Sequence, residues 1–337
     1  MLRTVISFII IFAHCICAFA TDFDVIVIGT SPICLLEALY QHHSGNRVLI
    51  LEGASTCGGA WKSIPVCGVP YAELGCHLIG KNLDVCHFME TYIGCKTVSM
   101  DKPDLDANQH LGPNGFYLAG GCRELMDHLL QLLEATNIVL LLNHHMDSVT
   151  IDTNQMIAIA HTNGCDFSTS KLIVTPYSQV KIDNHPKMSL ESQTTGKTKH
   201  HHLYVLIEDA SKPRFTYRGG IGNGTSRIMN MTSFVGLEGT GLQLIVFQVQ
   251  NSNSFQLAET YIDTLKKQAL IDPSAYVIKT ESFTYEQFQY NQSLIKQLPN
   301  GQLIVEMILT HKLQDMANHI KRWKQVFPLY QSVIKGS

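Results

Sequence analysis

Continuous apolar runs, rather than alternating ones, mark the first half of the chain. Asp24-Val25-Ile26-Val27-Ile28-Gly29 and Arg47-Val48-Leu49-Ile50-Leu51-Glu52 have the unbroken aliphatic pattern of strands covered on both faces in a parallel sheet. Between them Ser31 is placed to cap a helix, and Pro32 falls in its first turn, where a missing N–H costs nothing. The pattern predicts a helix to about His43, with Leu35, Leu36, Leu39 and Tyr40 on its packing side and Ser44-Gly45-Asn46 ending it. Strand, helix and strand together make a βαβ unit of about thirty residues.

Leu118-Ala119-Gly120-Gly121 leads into a second helix, 123–135, with a broad apolar face. Residues 138–142 read as a third strand covered on both faces. Short strands at 149–151, 156–161 and 171–175 form a meander, with Asn163-Gly164 as a hairpin turn. The polar stretch 187–199 reads as a linker or loop. Strands at 203–207, 227–235 and 242–249, a helix at 258–269, and strands at 276–280 and 282–285 follow as a mostly antiparallel layer. A last helix, 312–325, turns Leu313, Met316 and Ile320 inward.

The 337 residues are 45% apolar and only 16% charged, with a net charge of -3. Charged residues average roughly 25% in globular chains. The composition excludes a disordered chain, and the near balance of signs excludes an electrostatic nucleic-acid binder. Part of the charge deficit lies in residues 1–20: Arg3, an apolar stretch from Val5 to Phe12, then Ala18-Phe19-Ala20. This is a signal peptide for the secretory pathway, cleaved to leave Thr21 first, or else an uncleaved signal anchor. No later apolar run reaches the roughly 18 residues of a membrane span, so cleavage leaves no stable span.

Ten cysteines include Cys15 and Cys17 in the leader; the other eight precede residue 166, without a C-x-x-C pair or a histidine at zinc spacing. Export permits disulfides among them, and burial as small core residues is the other reading. His200-His201-His202 cannot all face one ion from a strand or a helix, so no metal site is expected. Sequons begin at Asn223, Asn230 and Asn291, about as many as chance supplies in a chain of this composition.

Glu52 stands 23 positions after Gly29, where a dinucleotide fold needs a carboxylate for the adenosine ribose hydroxyls. In G-x-G-x-x-G terms the turn holds Gly29, Ser31 and Cys34, with Thr30 after the first glycine. The first glycine makes the tight turn; serine and cysteine are small but add a Cβ where backbone must approach a pyrophosphate. A glycine pair, Gly58-Gly59, then Ala60 and Trp61, follows the acid, and Glu73-Leu74-Gly75-Cys76-His77 comes next.

This order resembles the N-terminal segment of the flavin-binding amine oxidase and phytoene desaturase superfamily. The likeness implies an α/β fold: a Rossmann-like FAD/NAD(P)-binding domain with a β-meander (21–185), a smaller mixed α+β substrate domain (186–300), and a C-terminal helix returning to the nucleotide domain (301–337). It implies FAD as cofactor, contacted by Gly29, Thr30, Ser31, Glu52, Gly58, Gly59, Ala60, Trp61, His77, backbone near Met146, and the loop at Thr175. Two departures stand out. Ala60 replaces the arginine of many relatives, and Gly301-Gln302 stands where a Gly-Asp usually introduces the last helix.

Two functional classes follow. One is an FAD-dependent oxidoreductase moving hydride from an organic substrate to flavin, which needs no dedicated acid–base motif because the flavin accepts the hydride. No catalytic constellation stands out; Lys279 and Tyr285 are eligible polar groups more in keeping with solvated surface. The other is a non-catalytic scaffold or pseudoenzyme with a protein partner. Rab GDP-dissociation inhibitors resemble the chain at the fold level and share the Gly-Thr turn. Nothing in the residues separates an amine, a carotenoid-like lipid or a sugar nucleotide as substrate.

Overall fold

The computed structural model describes residues 23–75, 77, 79, 82–99, 115–152, 156–174, 194–222, 224–249, 256–290, 305–307 and 317–327. The leader, Thr175, and the sequons at Asn223 and Asn291 lie outside the described residues.

The chain opens with β1 (Phe23–Ile28), α1 (Pro32–His43) and β2 (Val48–Glu52). A hairpin follows, β3 (Ser63–Val66) and β4 (Val69–Glu73). Next come α2 (Leu83–Phe88), running into a π-helical turn at Met89–Ile93, and the pair β5 (Thr97–Ser99) and β6 (Phe116–Leu118). Then come α3 (Gly121–Glu134), β7 (Val139–Leu142), β8 (Met146–Asp152), β9 (Ile157–Thr162) and β10 (Asp166–Val174).

β1, β2 and β7–β10 form one sheet in the order β7-β2-β1-β10-β9-β8, and β3–β4 and β5–β6 are separate pairs. β1, β2, β7 and the far half of β10 run parallel, and β8, β9 and the near half of β10 run antiparallel. Helix residues Leu35, Leu36 and Leu129 pack on one face against Val25, Val27, Ile50 and Ile173. The meander residues Met146, Val149, Ile151 and Ala158 pack with Ile26, Leu49 and Leu172 on the other face. Both faces of β1 and β2 are thereby dry, as their unbroken apolar runs require. The strand at 138–142 differs from expectation: Val139–Leu142 is the sheet edge, Val139 is exposed and the rest half-buried. Its apolar run continues past the last neighbour that could cover it.

The second half begins with β11 (Thr194–Glu208), then β12 (Tyr217–Gly222), β13 (Thr225–Asn230), β14 (Leu242–Val249), α4 (Ala258–Lys267) and β15 (Tyr276–Tyr290). They form an antiparallel sheet, β12-β13-β14-β11-β15. α4 covers one face through Tyr261, Ile262 and Leu265; the β3–β4 hairpin covers the other through Val66 and Ala72. Three expectations are corrected here. Residues 194–199 belong to β11 rather than to a linker, because they pair with the far end of β15. β15 is one strand rather than two, and β13 stops at Asn230, where the Asn230 and Thr232 side chains bond each other in a turn. Asn230 is itself buried, its amide donating to Gln243 Oε1 at 2.7 Å, so it offers no exposed glycan acceptor.

β16 (Val305–Met307) adds to β10 in parallel, and α5 (Ala317–Val326) packs on α1 and α2. α5 starts later than the expected 312; Ile320 faces inward, joined by Trp323, Val326 and Phe327, while Leu313 and Met316 lie outside the described residues. Fully buried Glu37 of α1 receives the Arg322 guanidinium (3.0 Å), the Trp323 indole N–H (3.2 Å) and the Gln41 amide (2.8 Å). Burial opposes its charge, but His319 (3.8 Å) and these partners outweigh burial, so its carboxyl stays below the usual range.

Candidate functional site

Gly29 ends β1 with φ +95° and donates its N–H to Leu51 O at 2.8 Å. That left-handed turn is open to glycine at no steric cost. Ser31 holds the N-cap position of α1 but makes no side-chain cap bond; its hydroxyl lies 3.3 Å from Cys34 Sγ. Cys34, in the place of the third glycine, points its thiol at Ile28 O (3.5 Å). Burial pushes that thiol up to about 12, so it acts as a small apolar plug between helix and strand.

Thr30 is the hub of the turn. Its buried hydroxyl donates to Glu52 Oε2 at 2.5 Å and accepts the Gly58 N–H at 3.0 Å. Glu52 Oε1 accepts the Ala54 N–H at 2.8 Å. The acid is thus oriented at the C-terminal end of β2, partly exposed, with lone pairs left for further donors. Gly58 (φ +113°) and Gly59 (φ +55°) turn the chain into a 3₁₀ segment, Gly59–Trp61. A Cβ on Gly59 would lie 4.0 Å from the Ser31 Cβ, so the two glycine turns stand against each other. Ala60 is half-buried within the second turn.

Beyond Glu52 the chain is laced to the start of β8: His144 N–H donates to Glu52 O (2.9 Å) and Asn143 N–H to Ala54 O (3.0 Å). Met146 itself is a core side chain, so only backbone before it lies beside the acid. Gly29, Thr30, Ser31, Glu52, Gly58, Gly59 and Ala60 are therefore brought together at one sheet end. The Met146 side chain is turned away from them.

Trp61 and His77 sit together, stacked at 4.5 Å between ring centroids and 26° between planes. His77 Nε2 lies 3.1 Å from Leu74 O, and burial lowers the imidazole to about 4, leaving it neutral. With Glu73, Tyr117, Cys122 and Met229 among others, this pair lines a small space of about 10 Å³, room for about one water. Three groups around the β4 turn escaped the sequence reading. Glu73 is 4% exposed, and its Oε1 accepts the Cys122 N–H at 2.7 Å while Oε2 has no partner. Tyr204 of β11 bonds the β4 turn twice, donating to Glu73 O (2.7 Å) and accepting the Gly75 N–H (2.9 Å). His202 approaches the same turn; a Cβ on Gly75 would lie 3.1 Å from its Nε2.

Strand alternation puts His201 on the opposite face of β11 from His200 and His202. His200 pairs with Gln248 (2.9 Å) and His201 with Thr284 (2.9 Å), and both His201 and His202 are buried. Among the described residues, no three His, Cys, Asp or Glu side chains are placed to hold a metal ion. Lys279 is half exposed and paired with Glu281 at 2.8 Å, while the Tyr285 side chain lies outside what is described. Cys34, Cys57, Cys67, Cys86, Cys95, Cys122 and Cys165 carry free thiols. Among the described residues no helix is long and apolar enough to cross a membrane.

No family model and no curated protein sequence matches the chain. Solved structures do. Cyclohexylamine oxidase from Brevibacterium oxydans IH-35A superposes with a TM-score of 0.63 at 10% identity, covering 94% of this chain and 100% of that one. Putrescine oxidase bound to putrescine gives 0.62 at 11% identity, covering 94% and 99%. The p-nitrophenol 4-monooxygenase of Pseudomonas putida DLL-E4 gives 0.52 at 12%, covering 95% and 82%. The chain shares the fold of these enzymes. At such identities the likeness extends to fold alone.

Proposed function

We propose that the chain is an exported, FAD-dependent oxidoreductase, with a Rossmann-like nucleotide half and a smaller substrate half, acting on a small organic molecule. The observation that carries this is the convergence of the Gly29 turn, the Glu52 carboxylate and the Gly58-Gly59 turn at the C-terminal end of two adjacent parallel strands. Open α/β sheets bind ligands at that end. The residues fit a flavin dinucleotide: Glu52 keeps acceptor capacity for ribose hydroxyls, and the two facing glycine turns offer backbone to a diphosphate. When bound, FAD supplies the hydride acceptor.

The chain's own residues would do the rest. Thr30 holds Glu52 in one rotamer. The Trp61–His77 stack makes a flat, neutral wall, with Met229 and Tyr117 lining the same small space. In this role Ala60 leaves the diphosphate without the side-chain cation of many relatives, so backbone carries more of the binding. The leader, 1–20, would send the protein into the secretory pathway.

One observation favours the non-catalytic reading. Thr30 already satisfies the Gly58 N–H, and Cys34 fills the close-packing position, so the turn is complete without a ligand. Glu52→Ala decides between them. Wild type should be reconstituted with FAD, and the variant should lose at least about tenfold in affinity, about 1.4 kcal/mol. Equal occupancy of both proteins would remove Glu52 from the site and sink the proposal.

A further inference from the structure

The β8–β9–β10 meander carries three polar side chains that the nucleotide-binding reading does not use. Val149, Ile151, Ala158 and Ala160 point into the core, so the residues that alternate with them occupy the opposite face. On that face His161 of β9 stands directly opposite Asp166 of β10, and its ring reaches Thr150 of β8 diagonally across the next ladder. Asp166 Oδ1 lies 2.9 Å from His161 Nδ1, and Thr150 Oγ1 lies 2.8 Å from His161 Nε2.

The chemistry of the three groups fixes the direction of both bonds. An ionised carboxylate can only accept, so the imidazole proton sits on Nδ1 and the Nε2 lone pair accepts the Thr150 hydroxyl. A hydroxyl in reach of a base, with a third group orienting that base, is the arrangement that activates a nucleophile, whatever the fold that carries it. His161 keeps 30% of its side-chain surface and Asp166 keeps 60%, so the group meets solvent rather than a closed cavity.

We propose that these side chains form an acyl-transfer site, with Thr150 as nucleophile, His161 as general base and Asp166 as the residue that positions the base. Its substrate is an activated acyl donor, an ester or thioester with a good leaving group. β9 is paired on both sides, which engages its backbone N–H groups and withholds them from an oxyanion, so the leaving group must carry the step. The Thr150 oxygen bonds to the acyl carbon and its proton passes to Nε2. The bond from that carbon to the leaving oxygen or sulfur breaks, its electron pair stays on the leaving atom, and Nε2 returns the proton there. Water repeats the sequence: its oxygen bonds to the acyl carbon, the Thr150–acyl bond breaks, Thr150 recovers a proton through Nε2, and a carboxylic acid leaves. The site stands independently of the flavin reading.

The test uses the full chain with 4-nitrophenyl acetate as the acyl donor. Absorbance follows nitrophenolate release, and mass spectrometry of peptides locates the acetyl group. Acetylation of Thr150 should outpace that of the other threonines, persist in Thr150→Ser and disappear from this position in Thr150→Val. His161→Gln should slow it by about a hundredfold, within the usual contribution of a general base. Asp166→Asn should slow it by a smaller factor. Circular dichroism establishes that each variant is folded. Thr150 acetylated no faster than other threonines, or a rate unmoved by His161→Gln, overturns the proposal. A burst of release that survives Thr150→Val also overturns it, because the imidazole is then the nucleophile. None of these outcomes touches the flavin reading, which visible absorption reports separately.

Discussion

Glu73→Gln should remove the pH dependence that Glu73 imposes on folding. In the unfolded chain this carboxyl ionises around its ordinary 4.5, whereas burial in the fold raises it to about 7. Between those values the folded protein holds a proton that the unfolded chain releases. Stability from this group is therefore fully present below pH 4.5 and is lost as pH rises through about 7. At about 1.36 kcal/mol per pH unit, the loss is about 3 kcal/mol. Glutamine has no proton to lose and keeps an oxygen for the Cys122 N–H. The variant should match wild type near pH 4 and exceed it by about 3 kcal/mol at pH 8. Urea denaturation at both pH values, followed by tryptophan fluorescence, measures the difference directly. A stability difference that stays constant between the two pH values, or that shrinks as pH rises, would refute the burial account of Glu73.

Other consequences follow from the same packing. Arg322→Ala should destabilise the protein by about 3 kcal/mol, because it strips fully buried Glu37 of its guanidinium partner; denaturation midpoints check this. His202 is held down to about 3 by burial, so its stability contribution is present above pH 6.5 and lost as pH falls toward 3. His202→Gln should flatten that acid limb in a pH series of melting curves. Ser31→Gly should tighten FAD binding by about tenfold, or about 1.4 kcal/mol, if the crowded diphosphate turn limits affinity. A titration of the reconstituted protein would read the change.

Much of the first half was legible because its signal is local. An unbroken apolar run such as Val25–Ile28 reports coverage on both faces, and a glycine closing it reports the turn. The same logic misled at 138–142, since an apolar run does not say whether a further strand lies beside it; topology does, and topology is set by distant residues. Glu73 shows the limit more sharply. In sequence it is one acid in a short motif. Its meaning comes from Gly121 and Cys122 on α3 and from Tyr204 on β11, more than a hundred positions away in the latter case. Tyr204 likewise read as one more aromatic in a strand. The polar residues from Thr194 to Lys199 read as linker because their strand character comes from pairing with β15, not from an apolar face of their own.

In the proposed function the paired glycine turns and Glu52 hold a flavin dinucleotide. The visible spectrum of the purified full chain, recorded before and after incubation with FAD and removal of excess, tests it most directly. Flavin bands at about one cofactor per chain, released on denaturation, are the expected result. A chain that stays colourless after reconstitution, though folded by circular dichroism, would contradict it and leave the scaffold in a binding role.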